Sequence, residues 1–291
     1  MATKKLTVFD IINMKAAGDR IAALTAFDAG SAAFLDQAGI DIILVGDSLG
    51  MVVLGYESTV LVTMDEMIHH AKAAKRGGNR ALLVGDMPFL SYQADKRDAI
   101  LNAGRFIKEG GCDAVKLEGG KEVSEIVRAI VRAGIPVMGH IGLTPQTAGQ
   151  LGGYKIQGND AESARRILNE ARALEDAGVF SLVLECIPDK LAEVITDAIS
   201  IPTIGIGAGP CCDGQILVTH DVLGMFEKFV PSFVKTYVKL APQIKEAVIS
   251  FREEVKSGRF PDQDHSFTMK VDIEELLGKE DAVQGKKILN S

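Results

Sequence analysis

The sequence predicts one α/β domain of the (β/α)8 barrel class, and three observations lead there. Helical stretches end on a small residue or glycine. A short run of consecutive apolar residues follows each one. Eight such runs occur along the 291 residues. Glycine at a helix end takes positive φ without steric cost. Apolar residues in succession, rather than alternation, mark a strand covered on both faces of a parallel sheet. Eight strands alternating with helices fit one barrel of about 250 residues better than two domains or an open doubly wound sheet.

In chain order, residues 8–17 predict an extra N-terminal helix packed on the bottom or side of the barrel. The first apolar run, IAALTAFD at 21–28, ends in Asp28. IDIILVGDS follows Ala38-Gly39, NRALLVGDM follows Gly77-Gly78, and CDAVKLEG follows Gly110-Gly111. IPVMGHIG follows Ala133-Gly134 and VFSLVLEC follows Ala177-Gly178. The seventh run is IPTIGIGAG at 201–209 and the eighth QILVTHD at 215–221. Between them, Thr63 and Glu66 form a capping box that starts a helix over 64–76. Stretches 95–109, 121–133 and 161–177 are amphipathic at helical spacing. Pro188 is a first-turn proline for a helix over 189–199. Residues 231–256 predict a C-terminal helical extension. The expected division is a single catalytic barrel over 1–267 and a charged, partly disordered tail over 268–291.

Composition narrows the function. Acidic residues outnumber basic ones, 39 to 32, so no basic excess exists to neutralise nucleic-acid phosphates. No apolar run approaches the roughly 20 residues that span a bilayer. The opening Met1-Ala2-Thr3-Lys4-Lys5 leads into mixed polar sequence without the apolar core of a signal peptide. Cys112, Cys186, Cys211 and Cys212 lack both zinc spacing and a disulfide framework. The expectation is a cytoplasmic protein acting on small molecules, with neither nucleic acid nor membrane as partner.

Ionisable residues recur at the ends of the apolar runs. They are Asp28, Asp47 with Ser48, Asp86, Lys116 and Glu118, His140, and Glu185. Charges are costly inside an apolar strand unless paired or coordinated. In a barrel the carboxyl ends of the strands converge on one mouth, where active sites sit. Asp47, Asp86 and Glu118 come from consecutive strand units and would repel one another unless a hard divalent cation relieved them. An oxygen-only set favours Mg2+. The competing explanation is that each acid caps the following helix. Lys116 and Glu118 are two apart, so both can face the mouth. There Lys116 would neutralise substrate carboxylate or enolate charge, or simply pair with an acid. His140 would bond a substrate oxygen, or be a satisfied core residue. Glu185, flanked by apolar residues, suits a general base. Weaker signals are His69-His70, which point in different directions on a helix, and the glycines at 205, 207 and 209. Adjacent Cys211-Cys212 suggests no role.

The same residues carry a resemblance. GDSLGMVVLGYESTVLVTMDEMIHHAKAAKRG at 46–77 resembles the signature segment of the ketopantoate hydroxymethyltransferase family. AVKLEGG, GHIGLTPQ, GGYKIQG, LVLECIP, IPTIGIGAG, DGQILVTHDVLG and GRFPDQDHSF resemble the same family in the same order, over about residues 6–267. Leu61, where proline is common in the family, and the Cys211-Cys212 loop depart from its pattern.

The resemblance implies a TIM barrel of the phosphoenolpyruvate/pyruvate type, in a homo-oligomer that is typically a decamer. It implies hydroxymethyl transfer from the co-substrate 5,10-methylenetetrahydrofolate to 3-methyl-2-oxobutanoate, giving 2-dehydropantoate for pantothenate and coenzyme A. On this chain it implies Mg2+ at Asp47, Asp86 and Glu118, and keto-acid contacts from Asp47, Ser48, Asp86 and Lys116. His140 matches another site position and Glu185 the catalytic base. Loops 49–63 and 144–159 are candidates for the folate. The alternatives are a Mg2+-dependent carbon–carbon lyase or mutase acting on a 2-oxo acid, and a catalytically idle barrel.

Overall fold

The computed structural model describes residues 4–149, 153, 155–228 and 230–271. Eight parallel strands close a barrel in chain order. They are β1 (Ile21–Thr25), β2 (Ile42–Val45), β3 (Leu82–Asp86), β4 (Ala114–Glu118), β5 (Val137–Gly142), β6 (Ser181–Glu185), β7 (Thr203–Ile206) and β8 (Gly214–Leu217). The pairing of β1 with β8, Ile21 opposite Gly214, completes the ring. The helices are α1 (Val8–Ala17), α2 (Ala29–Gln37), α3 (Leu49–Val52), α4 (Met64–Gly77), α5 (Lys96–Arg105), α6 (Ser124–Arg132), α7 (Ala161–Ala177), α8 (Asp189–Ala198), α9 (Thr219–Val222) and α10 (Leu240–Lys256).

The continuous apolar runs are explained by two separate cores. Ile21, Ala23, Ile42, Leu44, Leu82, Val84, Ala114, Met138, Val183 and Ile204 cluster inside the barrel. The alternate residues Ile43, Val45, Leu83, Val115, Leu117, Ile141, Leu182 and Leu184 pack with helix residues such as Met67, Ile68, Phe106, Ile130 and Leu174. Strand side chains alternate in direction, so each run serves both cores. Extending the inner set towards the strand ends reaches Asp86, Lys116, Glu118, His140 and Glu185.

The opposite, amino-terminal end is closed by α1. Thr7 and Asp10 form its capping box and Gly18 ends it at φ 75°. Ile11 joins the inner cluster. Lys15 donates to the carbonyls of Thr196, Ile199 and Ile201 and pairs with Asp213 at 3.1 Å. Of the two expected positions, bottom or side, the helix takes the bottom: Ile11, with Val8, Ile12 and Met14 packed beside it, covers the inner core, and Lys15 ties down carbonyls at the end of α8 and just beyond it.

Several boundaries differ from the expected ones. The first strand stops at Thr25, and Asp28 caps α2 by accepting from the Ser31 N–H at 2.9 Å. The stretch 95–109 is α5 followed by a wider π turn over Phe106–Gly110, which Gly111 ends at φ 71°. Helix over 231–239 is not formed, and α10 begins at Leu240. The sequence there, VPSFVKTYV, is rich in β-branched and aromatic residues that favour extended chain. Its Tyr237 N–H donates to Val222 and its Thr236 hydroxyl to Asp221.

The chain divides into two compact units between Val238 and Lys239, whereas the sequence suggested one unit through 267. In the second unit α10 is followed by a turn in which the Phe260 ring lies 5.6 Å from both Phe251 and His265. The expected tail lies mostly outside the described residues, at 272–291. Among the described residues no helix is long and apolar enough to cross a membrane.

Gly85 shows how the outer layer sets the inner one. A Cβ at this position would stand 2.2 Å from the Phe106 ring, which is wholly buried against β3. Its neighbour Asp86 points the other way, into the mouth. Gly85→Ala is expected to lose about 1–3 kcal/mol, the usual cost of overpacking. Thermal unfolding measures it, and an unchanged Tm would contradict the tight contact.

Candidate active site

The mouth at the carboxyl ends of β2 to β6 gathers the predicted residues. Strand register places Asp86 beside Lys116, Glu118 beside His140, and Gly142 beside Glu185. Asp47 lies two residues beyond β2, and its N–H donates to Asp86 at 3.2 Å. Asp47, Asp86, Lys116, Glu118 and His140 are all buried, the most exposed being Asp47 at 5%. Ser48 starts α3 beside them, without a side-chain cap bond. Gly142, at φ 93°, admits the Glu185 carbonyl so closely that a Cβ there would lie 2.3 Å from its oxygen.

Lys116 is the hub. Its Nζ donates to both Asp86 oxygens, at 2.8 and 2.9 Å, and stands 3.5 Å from Glu118. His140 lies between two acids. Its Nδ1 is 3.4 Å from Glu118 and its Nε2 3.1 Å from Glu185, ion-pair distances without hydrogen-bond alignment. Glu185 keeps 14% of its side chain exposed, so it faces both His140 and the open mouth. Its apolar neighbours Leu182 and Leu184 belong to the outer core, not to its own surroundings.

Two site residues were missed by the sequence reading, Tyr92 and Gln146. Gln146 donates from its amide to Asp47 and to the Met87 carbonyl, both at 2.9 Å, and from its backbone N–H to Glu118 at 3.0 Å. The Tyr92 hydroxyl accepts from the Glu118 N–H and lies 2.9 Å from both the Glu118 carbonyl and the Gln146 amide oxygen. Gln146 is not ionisable and stands four residues past the fifth strand, so a search for charges at strand ends passes over it, although it falls in the 144–159 loop expected for the folate. Tyr92 sits in a loop without periodicity, and its contact with Glu118 bridges 26 residues.

Capping fails to explain the mouth acids. Asp28 caps its helix, but Asp47, Asp86 and Glu118 bind one another's neighbourhood instead. Burial, and then repulsion from Asp86 and Glu118, pushes the Asp47 carboxyl well above the usual range. Burial also raises Asp86, although Lys116 opposes it. For Glu118 burial is outweighed by Lys116, His140 and the Gln146 N–H, which hold it low. Burial and Lys116 act to lower His140, but Glu118 and Glu185 prevail and lift it to about 9.

Four carboxylates thus face two cations, so the fully ionised set is short of two positive charges. Its donors are all oxygen, the chemistry a hard divalent ion requires. The expected trio does converge. Yet its oxygens already accept from Lys116 and Gln146, and among the described residues no three His, Cys, Asp or Glu side chains form a metal-holding group. The residues fit Mg2+ in charge and donor type. Of the expected folate loops, residues 150–152 and 154 lie outside the described residues.

The chain matches the ketopantoate hydroxymethyltransferase family profile over residues 5–263. It belongs to the ketopantoate hydroxymethyltransferase family. It is 62% identical to the 3-methyl-2-oxobutanoate hydroxymethyltransferase of Desulfotalea psychrophila over 275 residues, 94% of this chain and 99% of that one. It is 58% identical to the enzyme of the same name from Carboxydothermus hydrogenoformans over 273 residues, again 94% and 99%. Among solved structures it resembles the phosphoenolpyruvate phosphomutase of Streptomyces platensis subsp. rosaceus, with TM-score 0.60, 14% identity, and 98% and 100% coverage. A 2,3-dimethylmalate lyase matches with TM-score 0.53 and 17% identity, over 98% and 99% of the two chains. These last likenesses show the shared barrel alone, which by itself says nothing of chemistry.

In this family member Lys116→Met would leave Asp86 buried with no cation. A loss of about 3–5 kcal/mol is expected, as for one partner removed from a buried pair. Urea denaturation measures it. The double variant Lys116→Met with Asp86→Asn should recover part of the loss, and additive losses would contradict direct pairing.

Proposed function

We propose that this chain transfers a hydroxymethyl group from 5,10-methylenetetrahydrofolate to 3-methyl-2-oxobutanoate, giving 2-dehydropantoate. Its relatives of 58–62% identity carry hydroxymethyl transfer and 3-methyl-2-oxobutanoate in their names. The observation that carries the mechanism is the buried mouth, where one lysine and one histidine stand among four acids.

The substrate is a 2-oxo acid, and the new bond forms at C3, beside the keto carbon. A carboxylate removes that proton only if the resulting negative charge is stabilised. Glu185 is the base: it ends β6 at the open side of the mouth, and His140 orients it from 3.1 Å. Its carboxylate takes the C3 proton, and the electron pair moves towards the keto oxygen as an enolate. Lys116 and the protonated His140 place positive charge where the oxygen becomes negative. The enolate carbon then attacks the methylene carbon of the folate in its iminium form, in which the C–N10 bond has opened and N10 has taken a proton. Water then adds its hydroxyl to that carbon as the remaining C–N5 bond breaks, and tetrahydrofolate leaves with the second proton on N5. Asp47, Asp86 and Glu118 would hold Mg2+, and Asp47, Ser48, Asp86 and Lys116 the keto acid. When bound, the ion supplies Lewis-acid polarisation of the keto oxygen. The setting that goes with this activity is a cytoplasmic homo-oligomer, a decamer by family likeness. Exposed apolar residues on α10, among them Val248 and Phe251, favour association.

Deuterium exchange at C3 of 3-methyl-2-oxobutanoate, followed by NMR without folate, tests the base. Glu185→Gln is expected to keep keto-acid binding and lose exchange by about 10²–10⁴-fold, the range of general-base contributions. Undiminished exchange would remove Glu185 from the role. Asp47→Asn is expected to weaken keto-acid binding more in Mg2+ than in EDTA, by calorimetry. Equal curves for variant and wild type in Mg2+ would count against that ligand.

A further inference from the structure

We infer that Gln146 is a positioning residue that sets Asp47 and Glu118 in register for metal and keto-acid binding. This inference rests on the function proposed above. Gln146 occupies a single 3-10 turn, Pro145–Thr147, directly after β5, and is 4% exposed. Every hydrogen-bonding group of its side chain is engaged. The Met87 carbonyl can only accept, so the NH2 group must face it and, beside it, the Asp47 carboxyl. That turns the amide oxygen to Tyr92, whose hydroxyl lies 2.9 Å away. The Gln93 amide lies 3.4 Å from the same oxygen. The amide therefore has one orientation, fixed at three corners.

The consequence falls on Asp47. Asp86 is held by Lys116 through both oxygens, and Glu118 by Lys116 and the Gln146 N–H. Asp47 receives its side-chain hydrogen bond from Gln146. In a buried site with two other carboxylates, a neutral donor is what keeps Asp47 aimed at the mouth while adding no cation to compete with a bound one. Where a bound cation holds Asp47 ionised, this bond becomes charge-assisted and stronger than a neutral pair. One residue thus spaces two acids of different strand units, one just beyond β2 and one at the end of β4.

Gln146→Met keeps the length of the side chain and removes its donors. Titration of the whole protein with MgCl2 at saturating 3-methyl-2-oxobutanoate, by calorimetry, is expected to show about tenfold weaker Mg2+ binding than wild type, the effect of losing one charged hydrogen bond. C3 exchange in the variant should recover towards the wild-type rate in excess MgCl2, because Gln146 touches no reacting atom. A residue with a merely structural role would lower Tm without that recovery. Gln146→Ala, which admits water to Asp47, serves if the methionine variant does not fold. Wild-type Mg2+ affinity in a folded variant overturns the proposal alone. A wild-type protein that binds no Mg2+ overturns the metal reading and the proposal together.

Discussion

Lys116 carries its charge in a barrel mouth almost closed to water, and the surrounding acids are arranged about it. Its ammonium satisfies Asp86 through two hydrogen bonds and stands near Glu118. Three acids and a lysine at this burial are tolerable only as a set, since any one of them alone would be an unpaired buried charge. His140 extends the set sideways to Glu185, and Gln146 extends it to Asp47. The result is a rigid constellation with more negative than positive charge, suited to a cation and an anionic substrate entering together.

The fold supports that constellation from behind. Inner and outer cores alternate along each strand, so a residue packed against a helix fixes the direction of its polar neighbour. Phe106 against Gly85 does this for Asp86. The lower end of the barrel is sealed by Ile11 and tied by Lys15, which leaves the upper end as the place where strand termini meet solvent.

Much of this was legible in the sequence, for identifiable reasons. The strands announced themselves because both faces are covered, which makes the runs continuously apolar. Asp86, Lys116, Glu118, His140 and Glu185 were legible as a group, because one charge at the end of such a run has a bland explanation and several at equivalent ends do not. Asp28 looked equivalent, but the chain leaves the strand at Thr25 and its carboxylate serves the helix N-terminus. Tyr92 was illegible because its meaning lies in a contact far along the chain. The extended stretch before α10 was also hidden, since the Tyr237 N–H and the Thr236 hydroxyl reach back to carbonyls of α9 rather than continuing a local pattern.

The central claim is that the charge imbalance of the mouth is matched by a divalent ion between the acids of neighbouring strands. A crystal grown with 3-methyl-2-oxobutanoate and Mn2+, an anomalous scatterer that accepts the same oxygen ligands, tests it most directly. The account predicts one strong anomalous peak touching carboxylate oxygens of both Asp47 and Asp86. A peak held by other residues, or keto acid seated in the mouth with no peak beside those two acids, would contradict it.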